Sequence, residues 1–430
     1  MSTPGDAAVR TPFPRAADAA LMAEWRWRYR RAEWTRRAGL PGGRVRAVAA
    51  AALRPFRVAV AAGRRVRRAE AGVAAREGVP RARQLVQLWW LRTWYGIESA
   101  QYYRLRLFEP ARWPRARGVV REREFTRAAE VIAASDPARG RQLLEDKERI
   151  AAWCAEWGIP TAATIVVVQG GRVVAGSAAE LPDADLFSKL GRAYGGKGAR
   201  RWWRRAAGRW VPSGDPDGRA VDREGVIAAA CRQSLEAGQP VLIQRALANH
   251  PAVARLTNGS LATLRFVTMR TMDGAVQLVS AVLRMPTGDA VVDAFFHGGL
   301  AAPVDLASGR LRRAMTLPMA VRGASADTHP ETGVRIEGTP LPDWDAVVAL
   351  VTRAHRAVPG AVPLVGWDVA LTADGPVLVE GNFPPSAGLM QVPFGVPLGE
   401  TPVVACLLDY LRAAHRKPRA APAVESPGAG

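Results

Sequence analysis

Lysine is nearly missing from this sequence: of 60 basic residues only four, Lys147, Lys189, Lys197 and Lys417, are lysine. Arginine serves wherever a generic positive charge will do. A retained lysine therefore marks a place that wants a compact ammonium on a thin stem, as in a narrow space beside one phosphate oxygen. Lys417, close to the end, reads as drift. Cysteine is scarce too. Cys154, Cys231 and Cys406 are isolated, odd in number and without zinc-type spacing, which argues against disulfides and cysteine catalysis and suits a reducing compartment. Long apolar runs are lacking: the stretches 47–53 and 85–91 are short and broken or flanked by arginine, too short to span a bilayer. The first thirty residues show no charged start leading into an apolar stretch and a small-residue cleavage site, so a cytoplasmic location is expected, with the inner membrane face as a peripheral address. The histidines, His250, His297, His329, His355 and His415, form no recognisable triad or metal cluster. Only His297, beside Gly298 and Gly299, is a candidate site member, and a strand-end hydrogen bond is the plainer explanation for it.

What the chain has in excess is positive charge, unevenly spread. Residues 1–125 hold 27 arginines against 10 acidic residues, most of the net +21 of the 430-residue chain, and such asymmetry points to an anionic partner. Residues 20–110 read as helices, rich in alanine, arginine, leucine and tryptophan, with apolar positions three and four apart at Leu85, Leu88, Trp89, Leu91 and Trp94. The six tryptophans here, interleaved with arginine, suit a membrane surface or nucleic acid. Core packing of tryptophan under a solvated arginine face explains the same pattern. An anionic membrane contact through residues 20–117 is kept as the expectation, and nucleic acid is not expected.

From residue 146 the pattern changes to short β-rich runs at 164–169, 185–190, 240–244, 262–270, 276–284, 366–372 and 377–380, with helices over 146–157, 223–237 and 343–358. This mixture predicts an α+β fold rather than a strict βαβ alternation. Residues 413–430, rich in Ala, Pro and Arg, read as a disordered tail. Gly191-Arg-Ala-Tyr-Gly-Gly-Lys-Gly198 is a glycine-rich loop suited to cradling phosphate oxygens. Gly198 stands where a P-loop has Ser or Thr, and a turn between two strands would look similar. The segment 366–382 reads as a hairpin with a three-residue loop, Ala373-Asp374-Gly375, in which Thr372 pairs with Pro376 and Asp368 faces Glu380, with Asn382 on the same face. Directly opposed carboxylates repel. A divalent cation between them would remove the penalty, and oxygen ligands favour Mg²⁺ or Mn²⁺.

In order along the chain, Asp146-Lys147, Gly158-Ile-Pro160, Ser188-Lys189, Gln244-Arg-Ala-Leu247, Thr263-Leu-Arg265, Arg284, His297-Gly-Gly299, Asp368 and Glu380-Gly-Asn382 resemble the ATP-grasp superfamily over residues 125–412. The similarity is greatest to the sugar-transfer-associated ATP-grasp group related to the α-L-glutamate ligases, especially in Val241-Leu-Ile-Gln-Arg-Ala-Leu-Ala-Asn-His-Pro251. The resemblance implies two α+β subdomains clasping ATP, about 146–248 and 249–412 within a domain of 126–412, preceded by the basic helical lobe of 1–125. It further implies that Lys147 and Lys189 meet the ATP phosphates, that Tyr194, Gly195, Gly196, Lys197 and Gly198 close over them, and that Gln244, Ala246 and Leu247 line the adenine. Arg265 and Arg284 would steady the γ-phosphate and an acyl phosphate, and Asp368, Glu380 and Asn382 would bind Mg²⁺ or Mn²⁺. For Gln244 a strand-edge role, and for Arg284 a surface charge, are the alternatives. Two departures stand out: Ala294 replaces an asparagine usual four residues before the Gly-Gly pair, and the usual amino-terminal α/β lobe gives way to the basic helices. The implied activity is a Mg²⁺-dependent ligase that joins a small or polymer-linked carboxylate to an amine, in polysaccharide, cell-surface or peptide-like metabolite biosynthesis. A phosphotransferase on the same fold, or a basic binding protein with a degenerate nucleotide fold, are the rivals.

Overall fold

The computed structural model describes residues 17–38, 72, 75, 77–136, 140–192, 197–213, 218–288, 290 and 295–416. Two six-stranded antiparallel sheets organise the chain. The first has the order β2-β1-β6-β3-β4-β5, formed by β1 Thr164–Gln169, β2 Arg172–Ala175, β3 Leu186–Leu190, β4 Arg200–Ala206, β5 Arg209–Pro212 and β6 Val241–Arg245. The second has the order β10-β9-β8-β7-β11-β12, from β7 Thr263–Arg270, β8 Val276–Met285, β9 Leu300–Asp305, β10 Arg310–Leu311, β11 Leu364–Thr372 and β12 Gly375–Asn382. The helices used below are α1 Ala19–Ala38, α2 Arg81–Trp94, α3 Ser99–Arg104, α4 Glu122–Ala134, α5 Lys147–Glu156, α6 Arg223–Ala237, α7 Trp344–Ala357, α8 Ala387–Gln391 and α9 Val403–Arg416.

Each sheet is closed on one face by a helix. Val226 and Ala230 of α6, N-capped by Asp222, pack on Val166, Val168, Leu186, Val241 and Ile243 of the first sheet. Val347, Leu350, Val351 and Ala354 of α7 pack on Leu264, Phe266, Leu283, Trp367 and Val369 of the second. The second sheet is also covered on its other face. Val267, Met269 and Leu364 join Met22 and Trp25 of α1, Phe125 of α4 and the apolar face of α9; Val282 and Ala301 join Leu88 and Leu91 of α2 and Tyr102 and Tyr103 of α3. Cover on both faces is why β7 and β11 are buried along almost their whole length rather than at alternate positions.

The α+β expectation holds, with the helical amino-terminal region present, and several boundaries shift. The described amino-terminal helices have no core of their own and share two cores with the second sheet. Helix α5 precedes the first sheet in sequence, yet Ile150, Trp153 and Cys154 are buried in the core of the second. The first sheet and α6 are thus an inserted unit, entered near residue 160 and left after Arg245. Residues 413–416, read from sequence as tail, are the last turn of α9, because its apolar face is anchored by Leu407, Leu408 and Leu411. Strands β2, β4 and β5 escaped the sequence reading. They lie toward the two ends of the first sheet, where β2 is exposed throughout and β4 carries four arginines, so little apolar alternation is needed.

Behind the second sheet, fully buried His355 on α7 is hydrogen-bonded through Nδ1 to Thr268 Oγ1 at 2.7 Å and through Nε2 to Val362 O at 2.9 Å. Trp367 Nε1 donates to the same threonine at 2.9 Å. Burial lowers the imidazole pKa to about 4, while an unfolded histidine titrates near 6.5. The unfolded chain therefore binds this proton first as pH falls, and stability present above about pH 6.5 is lost progressively toward about pH 4. His329, also lowered by burial, acts in the same direction. Urea unfolding between pH 7.5 and 4.5 should show this decline, and His355→Asn should flatten it; an equal slope in the variant would refute the assignment.

Candidate active site

The hairpin β11–β12 reaches the expected juxtaposition by a different route. Its connection is two residues, Ala373 and Asp374, with Thr372 opposite Gly375, not the three-residue loop with Thr372 opposite Pro376. A bulge between Asp368 and Val369 leaves Val379 unpaired and restores the lost residue, so Asp368 faces Glu380 and Gly366 faces Asn382. Gly375, at φ 106°, supplies the left-handed conformation needed to close the turn.

On the opposite side of β11, Asp368 lies beside Arg265 of β7, itself beside Val282 of β8. Arg265 grips Asp368 in a two-pronged pair: Nε donates to Oδ1, and Nη2 to Oδ2 at 2.9 Å. Arg284 Nη2 approaches the same Oδ2 at 3.0 Å and also donates to Thr263 Oγ1. The expected repulsion between the two acids is thus not left to a metal: Asp368 is neutralised by guanidinium groups on both oxygens. Burial alone would raise its pKa, and the two arginines outweigh that and hold it well below the carboxylate range. Arg284 is not a surface charge, since its side chain is almost wholly enclosed.

Glu380 lacks such a grip. Burial and the neighbouring Asp368 carboxylate raise its pKa, and Lys147 Nζ stands 3.9 Å from Oε2. Asn382 Nδ2 donates to Glu380 Oε1 and to Gly366 O, both at 3.3 Å. A carboxylate and an amide two residues apart on one face form a hard-oxygen pair suited to a small divalent cation completed by non-protein oxygens. Asp368, paired with Arg265 and Arg284, faces Glu380 across the hairpin. Among the described residues no group of three or more His, Cys, Asp or Glu is placed to hold a metal.

The lysines converge on this point. Asp146 caps α5 by accepting from Glu148 N and Arg149 N at 3.1 and 3.2 Å, which sets Lys147 at the first helical position. The Lys147 amide also donates to Gly191 O at 3.4 Å, tying α5 to the start of the glycine-rich loop. On β3, Leu186, Ser188 and Leu190 are buried toward α6, so Phe187 and Lys189 face the other way. Burial lowers the Lys189 pKa to about 8, the Glu380 carboxylate opposing and Lys147 adding to the shift. Four cationic side chains thus surround two carboxylates.

Other predicted residues fall at the edges of this cluster. Lys197 and Gly198 are exposed, and Gln233 Nε2 donates to Gly198 O at 2.6 Å. Tyr194, Gly195 and Gly196, along with Ala294 and the His297 side chain, lie outside the described residues. Gln244 is not at a strand edge: β6 is central, and its amide donates to Ala162 O and Thr164 Oγ1 at 3.0 and 3.1 Å. Ala246 and Leu247 start the strand-free passage between the units, where Ala246 N donates to Asp185 O at 2.9 Å. Sequence reasoning missed Glu122 of α4, which accepts from Ser386 Oγ and from the amides of Ala387 and Gly388 at 3.1–3.3 Å and so anchors the turn that follows Asn382. No local signal links residues so far apart in sequence.

The two acids should respond oppositely to neutralisation. Asp368→Asn leaves two enclosed guanidiniums without their counterion and should cost about 3–5 kcal/mol of stability. Glu380→Gln removes a like-charge neighbour and should leave the protein as stable or more so. Urea denaturation without metal or nucleotide checks both, and equal losses would contradict this distribution of charge.

Residues 126–401 match the sugar-transfer associated ATP-grasp family. No curated protein matches the chain. Among solved structures, an L-amino acid ligase from Bacillus licheniformis is similar at 13% identity and TM-score 0.34, covering 62% of this chain and 48% of its own. D-alanyl-alanine synthetase A from Vibrio cholerae follows at 15% and 0.37, with 64% and 66% covered, and D-alanine–D-alanine ligase from Bacillus anthracis at 12% and 0.35, with 64% and 68% covered. The chain thus spans about half of the first of these. With the family match running across both sheets and every residue of the charged cluster, this chain belongs to the sugar-transfer associated ATP-grasp family.

Proposed function

We propose that this protein is an ATP- and Mg²⁺-dependent carboxylate–amine ligase. The observation that carries the reading is the convergence of Lys147, Lys189, Arg265 and Arg284 around Glu380 and Asn382, in a chain that otherwise avoids lysine. Membership of the sugar-transfer associated ATP-grasp family supports the use of ATP; the acceptor carboxylate, on a small molecule or on a polymer, is part of the proposal.

In this reading Lys147 and Lys189 hold phosphate oxygens, the loop from Tyr194 to Gly198 covers them, and Gln244, Ala246 and Leu247 border the adenine. Glu380 and Asn382 would hold the divalent ion, which would supply charge neutralisation on the phosphates. Asp368 fixes the two guanidinium planes of Arg265 and Arg284. The acceptor carboxylate attacks the terminal phosphoryl group of ATP, and those guanidiniums meet the charge that spreads over the transferred group. The amine then displaces phosphate from the acyl phosphate. Positioning and electrostatics do the work, so no covalent nucleophile is needed from the protein.

ADP and phosphate release across a panel of carboxylates and amines tests the reading. A ligase gives free phosphate and a new amide in equal amounts. A phosphoryl group retained on the acceptor would make the enzyme a phosphotransferase, and no ADP release with any pair would remove the enzyme reading.

Lys147→Ala and Lys189→Ala should each weaken ATP binding by about tenfold or more, since lost charge-assisted bonds run at about 1.5–3 kcal/mol; Lys417→Ala should have no effect. Because Lys189 titrates near pH 8 without nucleotide, ATP affinity should fall as pH rises through that value, and less so in Lys189→Arg. Calorimetry that finds equal affinity in all three alanine variants would remove the phosphate contacts from this cluster.

A further inference from the structure

The six tryptophans of the amino-terminal helices divide into two sets. Trp25 is buried, and Trp89 and Trp90 are half-buried, which is ordinary core use. Trp27, Trp34 and Trp94 are instead 53%, 46% and 56% exposed, and Val86 is 65% exposed. On α1 the outward positions fall three and four apart, so Trp27, Arg30, Arg31 and Trp34 share one face, opposite the buried Met22 and Trp25. On α2 the outward face carries Val86 and Trp94. The two faces adjoin, because Arg30 Nη2 donates to Trp94 O at 2.7 Å. Arg31 stacks on Trp27 at 5.1 Å from the ring centre, keeping a cation against the aromatic surface. Of the described acids of α1, Glu24, on the flank of this face, is tied to Arg28 and Arg412, and Glu33 is half-buried.

We propose that this paired surface of α1 and α2 is a peripheral docking site for an anionic phospholipid bilayer. Tryptophan and arginine side by side on the solvent face of a helix are the pairing that settles at a membrane interface, the indole at the headgroup level and the guanidinium on lipid phosphate. The sequence joining the two helices has the matching charge, with eight arginines and one glutamate over residues 39–71. Nucleic acid fits less well. Trp27 and Trp34 are two helical turns apart, about 10 Å along the axis, which suits separate insertion into a soft interface rather than stacking of successive bases, and Val86 has no role on a polyanion. Among the described residues no helix is long and apolar enough to cross a membrane, so the contact is one of lying on the surface.

The test mixes the full chain with vesicles of phosphatidylcholine, with or without phosphatidylglycerol, at low and high salt, and follows sedimentation and tryptophan emission. The chain should bind the phosphatidylglycerol vesicles, with a blue-shifted emission, and bind pure phosphatidylcholine weakly. Added salt should release it. Trp27→Ser, Trp34→Ser and Trp94→Ser together should weaken vesicle binding by about tenfold or more with an unchanged melting temperature, because these rings support little of the core. Should that triple variant fail to fold, lipids brominated on their acyl chains give a second reading on the wild type, whose emission they should partly quench. Absence of vesicle binding at low salt, binding undiminished in a folded triple variant, or binding without quenching would each overturn the proposal. So would binding to heparin or a single-stranded oligonucleotide as tight as that to vesicles and insensitive to the tryptophan substitutions, which would make this a polyanion surface.

Discussion

The buried ion cluster of Arg265, Arg284 and Asp368 is the constraint around which the second sheet is built. Three charged groups on three adjacent strands are enclosed at the sheet's own surface. Such a cluster is poor value as a stabilising device, since the desolvation of three ions largely cancels their attraction and an apolar replacement often does as well. What it secures is orientation. Asp368 meets one guanidinium in a two-pronged pair and the second through a single nitrogen, so two strong cations are held in fixed positions. The double burial of β7 and β11, between α7 on one side and the amino-terminal helices on the other, keeps that arrangement from relaxing into solvent.

The remaining groups are set at different depths around this cluster. Glu380, one strand further out, is left with a raised pKa and a lysine nearby rather than a guanidinium clamp. Lys147 comes from a helix that belongs to the same body as Glu380, whereas Lys189 comes from the inserted sheet. The site therefore depends on how the two units meet, and connections near residues 160 and 246 carry that relation. Thr161 Oγ1 donates to Leu378 O at 2.8 Å, Leu378 N to Pro160 O at 2.8 Å and His250 N to Leu371 O at 2.6 Å, so both crossings are pinned to the β11–β12 hairpin. Arg201 adds a direct link, from Nη1 to Gly259 O at 3.1 Å.

Much of this was legible in the sequence, for reasons that differ by residue. The scarcity of lysine singled out Lys147 and Lys189 without any structural input, because a residue type kept against the background of the chain reports a local demand. The facing of Asp368 and Glu380 was found through a turn one residue too long, and the bulge at Val379 cancelled the error; alternation fixes which face a side chain takes, not where an extra residue is absorbed. The ion pairs of Asp368 were not legible, since they join residues far apart in sequence, on three different strands. Arg200 to Ala206 hid a strand because its place near the end of the sheet asks for little apolar area. Helix α5 was assigned to the nearer sheet, although its buried face belongs to the farther one. The amino-terminal tryptophans were ambiguous for a physical reason: the same residue serves a core and an interface, and only exposure separates Trp25 from Trp27.

The proposed role of this charged cluster is to activate a carboxylate by phosphorylation. The most direct test follows one atom. A carboxylate that supports turnover is labelled with heavy oxygen at both positions, the reaction is run with ATP, Mg²⁺ and the amine, and the released phosphate is weighed by mass spectrometry. If the carboxylate attacks the terminal phosphoryl group, one labelled oxygen leaves in the phosphate and the amide keeps the other. Phosphate without label, or label found only in the acceptor, would contradict the acyl phosphate and with it this reading of the site.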